Sequence, residues 1–142
     1  MASLTRIVYI DARPEDVWAA ISDFAAVHER AARGFVLESR LEGDTRVLTF
    51  ANGLVASERL VGLDHESRRI AYATSSPRIA HHNASLQVFP DGEGRSRVVW
   101  TTDVLPETVV ETFETMLDHG ARAMKATIEN AFATTCGNAR GH

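Results

Sequence analysis

From Val109 to Phe132, apolar or small residues return at every third or fourth position. That spacing lays Val109, Phe113, Met116, Leu117, Gly120, Ala121, Met124, Ile128, Ala131 and Phe132 along one stripe of a helix. Pro106 and Glu107 open the helix, which can run to about Ala133. Glu107, Glu111 and Glu114 load its first turns, where carboxylates meet the positive end of the helix dipole, and Arg122 and Lys125 follow further along. A stripe of this length needs a broad apolar surface to cover.

The preceding residues supply one. Leu4 to Ala12 reads as a strand, rich in β-branched Thr5, Ile7, Val8 and Ile10, and Asp11-Ala12-Arg13-Pro14 ends it. Pro14, Glu15 and Asp16 start a short helix whose apolar face is Val17, Trp18 and Ile21, with Phe24 beyond. A second short helix follows over Ala25–Ala32 and stops near Gly34. The period then changes to strands at Phe35–Leu41, Arg46–Phe50, Leu54–Leu63, Ile70–Thr74, Ala80–Phe89 and Ser96–Leu105. Short turns such as Glu42-Gly43-Asp44 and Ala51-Asn52-Gly53 separate them, so neighbours run antiparallel. The pattern predicts an α+β domain: a seven-stranded, curved antiparallel sheet around the long C-terminal helix, with two short helices after the first strand. Residues 1–134 form this domain, and residues 135–142 read as a disordered tail. Gly120 and Ala121, small residues in mid-stripe, are expected to widen a gap between helix and sheet.

Composition narrows the function classes. With 15 Lys+Arg against 19 Asp+Glu the net charge is -4, which speaks against nucleic acid and against an anionic membrane surface. No apolar run reaches the ~18 residues of a membrane span, and no signal peptide is read at the N-terminus, so a cytoplasmic location is expected. Cys136 is the single cysteine, which rules out an intramolecular disulfide and reads as an incidental thiol.

Several phrases resemble the START-like (SRPBCC) superfamily, and within it the polyketide cyclase/dehydrase-type proteins. They are Pro14-Glu15-Asp16-Val17-Trp18, Glu58-Arg59-Leu60-Val61-Gly62-Leu63-Asp64, Arg68-Arg69-Ile70-Ala71-Tyr72, Asn83-Ala84-Ser85-Leu86-Gln87-Val88-Phe89-Pro90 and Arg97-Val98-Val99-Trp100. In order and spacing they cover about Thr5 to Ile128, and Glu58-Arg59-Leu60 is also similar to a stretch of the plant abscisic-acid receptors. The resemblance implies a helix-grip fold enclosing a hydrophobic small molecule between sheet and helix. It places Glu58 in the pocket. Where many relatives carry a tryptophan and a proline after His28, this chain has Glu29-Arg30-Ala31-Ala32-Arg33, which implies a charged pocket entrance.

Alternation sorts the remaining candidates. His82, Ala84, Leu86 and Val88 share the face that points to the helix, while His81, Asn83, Ser85 and Gln87 face solvent. Adjacent His81 and His82 therefore cannot chelate one metal ion, and neither a metal nor another cofactor is expected. Glu58 and His82, both inward, are expected to form a polar pair in an apolar chamber, able to orient a ligand or to act as acid and base. The expected lining is Leu54, Glu58, His82, Trp100, Phe113, Leu117 and Met124. Three readings follow: a carrier of a hydrophobic small molecule; a cyclase or dehydratase using Glu58 and His82; and a protein-interaction module. A homodimer is compatible with each. The first is favoured, because the polar inventory is thin for catalysis.

Overall fold

The computed structural model describes residues 2–140, with side chains for residues 2–132. Strands β1 (Ala2–Ile10), β2 (Val36–Glu42), β3 (Thr45–Phe50), β4 (Val55–Asp64), β5 (Arg69–Ser75), β6 (His81–Pro90) and β7 (Ser96–Leu105) form one sheet. Its order is β1-β7-β6-β5-β4-β3-β2, antiparallel throughout. The tail expected at residues 135–142, with Cys136, lies outside the residues whose side chains are described.

Between β1 and β2 the chain forms α1 (Pro14–Ser22), a 3-10 turn (Phe24–Ala26) and the single turn α2 (Val27–Arg30). The second helix is thus shorter than its predicted span. Its end is set by the Ala31 and Ala32 amides, which both donate to the Val27 carbonyl, and by Gly34 at φ 85°. The long helix α3 (Val110–Arg140) likewise begins later than Pro106, after a 3-10 turn at Glu107–Val109.

The alternation of each strand decides what is buried. In β6, His82, Ala84, Leu86 and Val88 are buried, and in β3 Arg46, Leu48 and Phe50 are buried. α1 lays Val17, Trp18, Ala20 and Ile21 on this inner face, and the Trp18 indole donates to His65 Nδ1 at 3.0 Å, tying α1 to the β4–β5 turn. The C-terminal half of α3 buries Met124 and Ile128 in the same core. Each large apolar side chain removed from water contributes roughly 1.5–3 kcal/mol. Ala131, expected in the stripe, is exposed instead, while half-buried Phe132 packs on the core.

One edge of the sheet clamps α3. Arg6 donates to Asp118 at 2.6 Å, Lys125 Nζ donates to the Tyr9 carbonyl at 2.7 Å, and Glu129 accepts from the Asp11 amide at 2.8 Å. That last bond also explains why β1 stops at Ile10 rather than Ala12, since the next amide is taken by the helix. Ser96 Oγ donates to the Ala12 carbonyl at 2.7 Å and fixes the same corner. Among the described residues no hydrogen bond ties the first turns of α3 to β1 in this way. Between them and β4 to β7 the sheet curves away, helped by a register shift in β4 between Leu60 and Gly62.

Candidate functional site

The space left under the N-terminal half of α3 is a cavity of about 650 Å³. Its sheet wall carries Ala56, Glu58, Tyr72, Thr74, His82, Trp100 and Thr102, and α3 contributes Thr112, Phe113, Met116 and Leu117. Leu54, Ser76, Arg78, Ile79 and Thr108 also line it, from the β3–β4 and β5–β6 connections and the turn before α3. Gly120, expected to widen a gap between helix and sheet, does not line this cavity but a smaller void behind it. A Cβ on Gly120 would lie 2.8 Å from Trp100 Cη2 and 3.3 Å from Phe35 Cε2, so the glycine instead makes room for the six-membered end of the indole beside the helix. Trp100 and Phe35 line both the cavity and the smaller void of about 80 Å³, and so stand between the two.

Glu58 points inward and is 8% exposed, but its partner is not His82. The β3–β4 register sets Arg46 directly opposite Glu58, and both side chains lie on the inner face. Arg46 Nε and Nη2 reach Glu58 Oε1 at 2.9 and 2.7 Å, and Nη1 donates to the Phe24 carbonyl at 3.0 Å. The guanidinium also lies 4.1 Å above the Phe24 ring and 5.2 Å from that of Tyr72. Thr74 Oγ1 donates a long bond of 3.4 Å to Glu58 Oε2. The expected Glu58–His82 pair is therefore replaced by a buried salt bridge in which the carboxylate is neutralised. The signal for Arg46 was present: it alternates with Leu48 and Phe50.

His82 uses a different partner. Its Nδ1 accepts the Thr74 amide at 2.9 Å, and its ring lies between Tyr72 and Phe113 at centroid distances of 5.9 and 5.3 Å. A nitrogen that accepts carries no proton, so the neutral ring carries its proton on Nε2. Burial holds the imidazolium below its ordinary range; the Glu58 charge opposes this and His81 adds to it. Tyr72, absent from the expected lining, accepts from Trp100 Nε1 at 3.2 Å. Burial, then the nearby Glu58 charge, push its hydroxyl well above the usual range.

Leu54, Glu58, His82, Trp100, Phe113 and Leu117 thus line one cavity, with Leu54 half-exposed, whereas Met124 lies behind the wall in the smaller void. The charged His28–Arg33 segment does not line the larger cavity; Val27, Ala31 and Ala32 line the smaller void instead. Among the described residues no three His, Cys, Asp or Glu side chains gather as metal ligands, and no helix is long and apolar enough to cross a membrane.

The same architecture recurs in solved structures. XoxI from Bacillus cereus matches with a TM-score of 0.81 at 24% identity, over 92% of this chain and 99% of that one. The di-domain ARO/CYC BexL of the BE-7585A biosynthetic pathway gives 0.75 at 19%, covering 91% of this chain and 47% of its own. A START superfamily protein from Mycobacterium smegmatis gives 0.68 at 17%, covering 91% and 98%. These likenesses establish the helix-grip fold. No curated protein matches the sequence significantly. The family described as polyketide cyclase / dehydrase and lipid transport matches residues 1–132, nearly the whole of the domain, and the chain belongs to it.

Proposed function

We propose that this protein binds a hydrophobic small molecule, lipid-like, polyketide-like or aromatic, in the cavity between its sheet and α3. The cavity's volume of about 650 Å³ falls within the roughly 300–1,000 Å³ of small-molecule sites. Its lining is mainly apolar and aromatic, with a few convergent polar groups.

The observation that carries the reading is the Arg46–Glu58 pair. Both oxygens of this carboxylate are engaged within the protein, one by the buried guanidinium at 2.7 Å and the other by Thr74, so it is not free to take a substrate proton. Binding therefore outranks an acid–base cyclase or dehydratase role for Glu58.

The test is a titration with N-phenyl-1-naphthylamine, a neutral dye that brightens in apolar surroundings. Saturable one-to-one binding is expected, with a melting temperature that rises with dye concentration. Val109, half-buried where α3 begins, lines the cavity. Val109→Trp should weaken dye binding at least tenfold while leaving the unliganded melting temperature nearly unchanged. Equal binding by the variant would place the dye elsewhere and sink the proposal.

A further inference from the structure

The groups left over after the protein's own hydrogen bonds are satisfied define what kind of ligand atom the deep wall can meet. Glu58 is occupied by Arg46 and Thr74, and His82 Nδ1 by the Thr74 amide. Two protons remain uncommitted on neighbouring strands. The Tyr72 oxygen receives the Trp100 indole N–H, but among the described residues no acceptor takes the hydroxyl's own hydrogen, on a side chain only 5% exposed. His82 has a proton on Nε2 by the tautomer argument. That nitrogen has no partner among the described residues, yet is not sealed within protein. Both residues line the cavity and their rings lie 5.9 Å apart.

A buried donor without an acceptor costs roughly 1–3 kcal/mol, so the wall favours an occupant that brings acceptors. Charge selects among them. Of the two cations in and beside the lining, Arg78 is exposed and Arg46, the buried one, is spent on Glu58, whose charge already acts against an anion at Tyr72. An amine or ammonium would set donor against donor. We infer that Tyr72 and His82 form a two-donor subsite for a neutral acceptor oxygen, that of a ketone, aldehyde or ester carbonyl, on an otherwise apolar ligand.

This deepens the binding reading and rests on it, and the experiment separates the two. Benzophenone and diphenylmethane have closely similar shapes and differ in the carbonyl. Each would compete with N-phenyl-1-naphthylamine for the unmodified protein. Benzophenone is expected to bind about fivefold or more tighter, the worth of one net hydrogen bond. The carbonyl stretch of bound ¹³C=O benzophenone should lie below its frequency in hexane. His82→Phe and Tyr72→Phe should each reduce the preference for benzophenone and move the stretch back towards the hexane value. The infrared reading on unmodified protein stands even if a variant fails to fold. Equal displacement by both compounds, failure of benzophenone to displace the dye, or an unshifted stretch overturns the inference and leaves the binding reading intact. A dye that never enters overturns the binding reading itself, and the subsite with it.

Discussion

Arg46 and Glu58 show how a single pair sets the chemistry of a chamber. Each side chain is about nine-tenths buried, at 8% and 10% exposed, so neither charge is tolerable without the other. Glu58→Leu leaves the guanidinium uncompensated and Arg46→Met strands the carboxylate, so each should cost about 3–5 kcal/mol, whereas replacing both at once, Arg46→Met with Glu58→Leu, should cost much less. Urea unfolding of the four proteins in the cycle checks this; a double variant as unstable as the worse single would refute it. Glu58 was placed inward by resemblance, and Arg46, alternating with Leu48 and Phe50, could have been read inward too but was not. Their meeting was not legible, because it depends on the register across the β3–β4 turn, which alternation leaves free to slip by two residues. The expected Glu58–His82 pair failed for a different reason: β5 runs between their strands, and Thr74 offers its amide to His82 and its hydroxyl to Glu58.

At the scale of elements, α3 was the easiest to read, since a 3.6-residue period repeated over six turns has no other explanation. What the stripe concealed was the use of Gly120. A glycine in mid-helix costs about 1 kcal/mol against alanine, so its presence calls for a neighbour, and here the neighbour is the Trp100 indole from β7. Gly120→Ala should gain that propensity yet lose more, about 1–3 kcal/mol, as the methyl forces the indole to shift. Thermal melting should show a net loss, and a paired Trp100→Phe should recover part of it. A gain in the single variant would mean that the contact is loose. The His28–Arg33 segment stands apart from the larger cavity. It looked like an entrance by resemblance, but α2 closes after one turn and faces the smaller void.

For the molecule as a whole, His82 gives a signature in pH. The folded protein holds its imidazolium below the ordinary 6.5, so below that pH the unfolded chain binds a proton that the folded one refuses. Stability is therefore complete above about 6.5 and declines as pH falls, until the folded group itself titrates. Asp44, Asp64, Asp103 and Asp118, all held below 3.8, and Glu129, held below 4.5, lose their contribution only in a more acidic range. Melting temperatures should begin to fall just under pH 6.5, and His82→Gln, which keeps an acceptor for the Thr74 amide, should remove that first step alone. An unchanged profile in the variant would show that His82 carries no such penalty.

The order of the strands sets a timetable for assembly. β1 and β2 follow one another in the chain yet lie at opposite margins of the sheet, and Ala2 meets Val104. A nascent chain thus holds its first strand in reserve while β2 to β6 pair with neighbours made moments before. Only when β7 emerges can β1 dock, and the clamp on α3 that runs through Arg6, Tyr9 and Asp11 can close only after that. During that interval Leu4, Val8 and Ile10, buried in the finished fold, sit on an unpaired strand, so β1 stays open to wrong partners until late in synthesis.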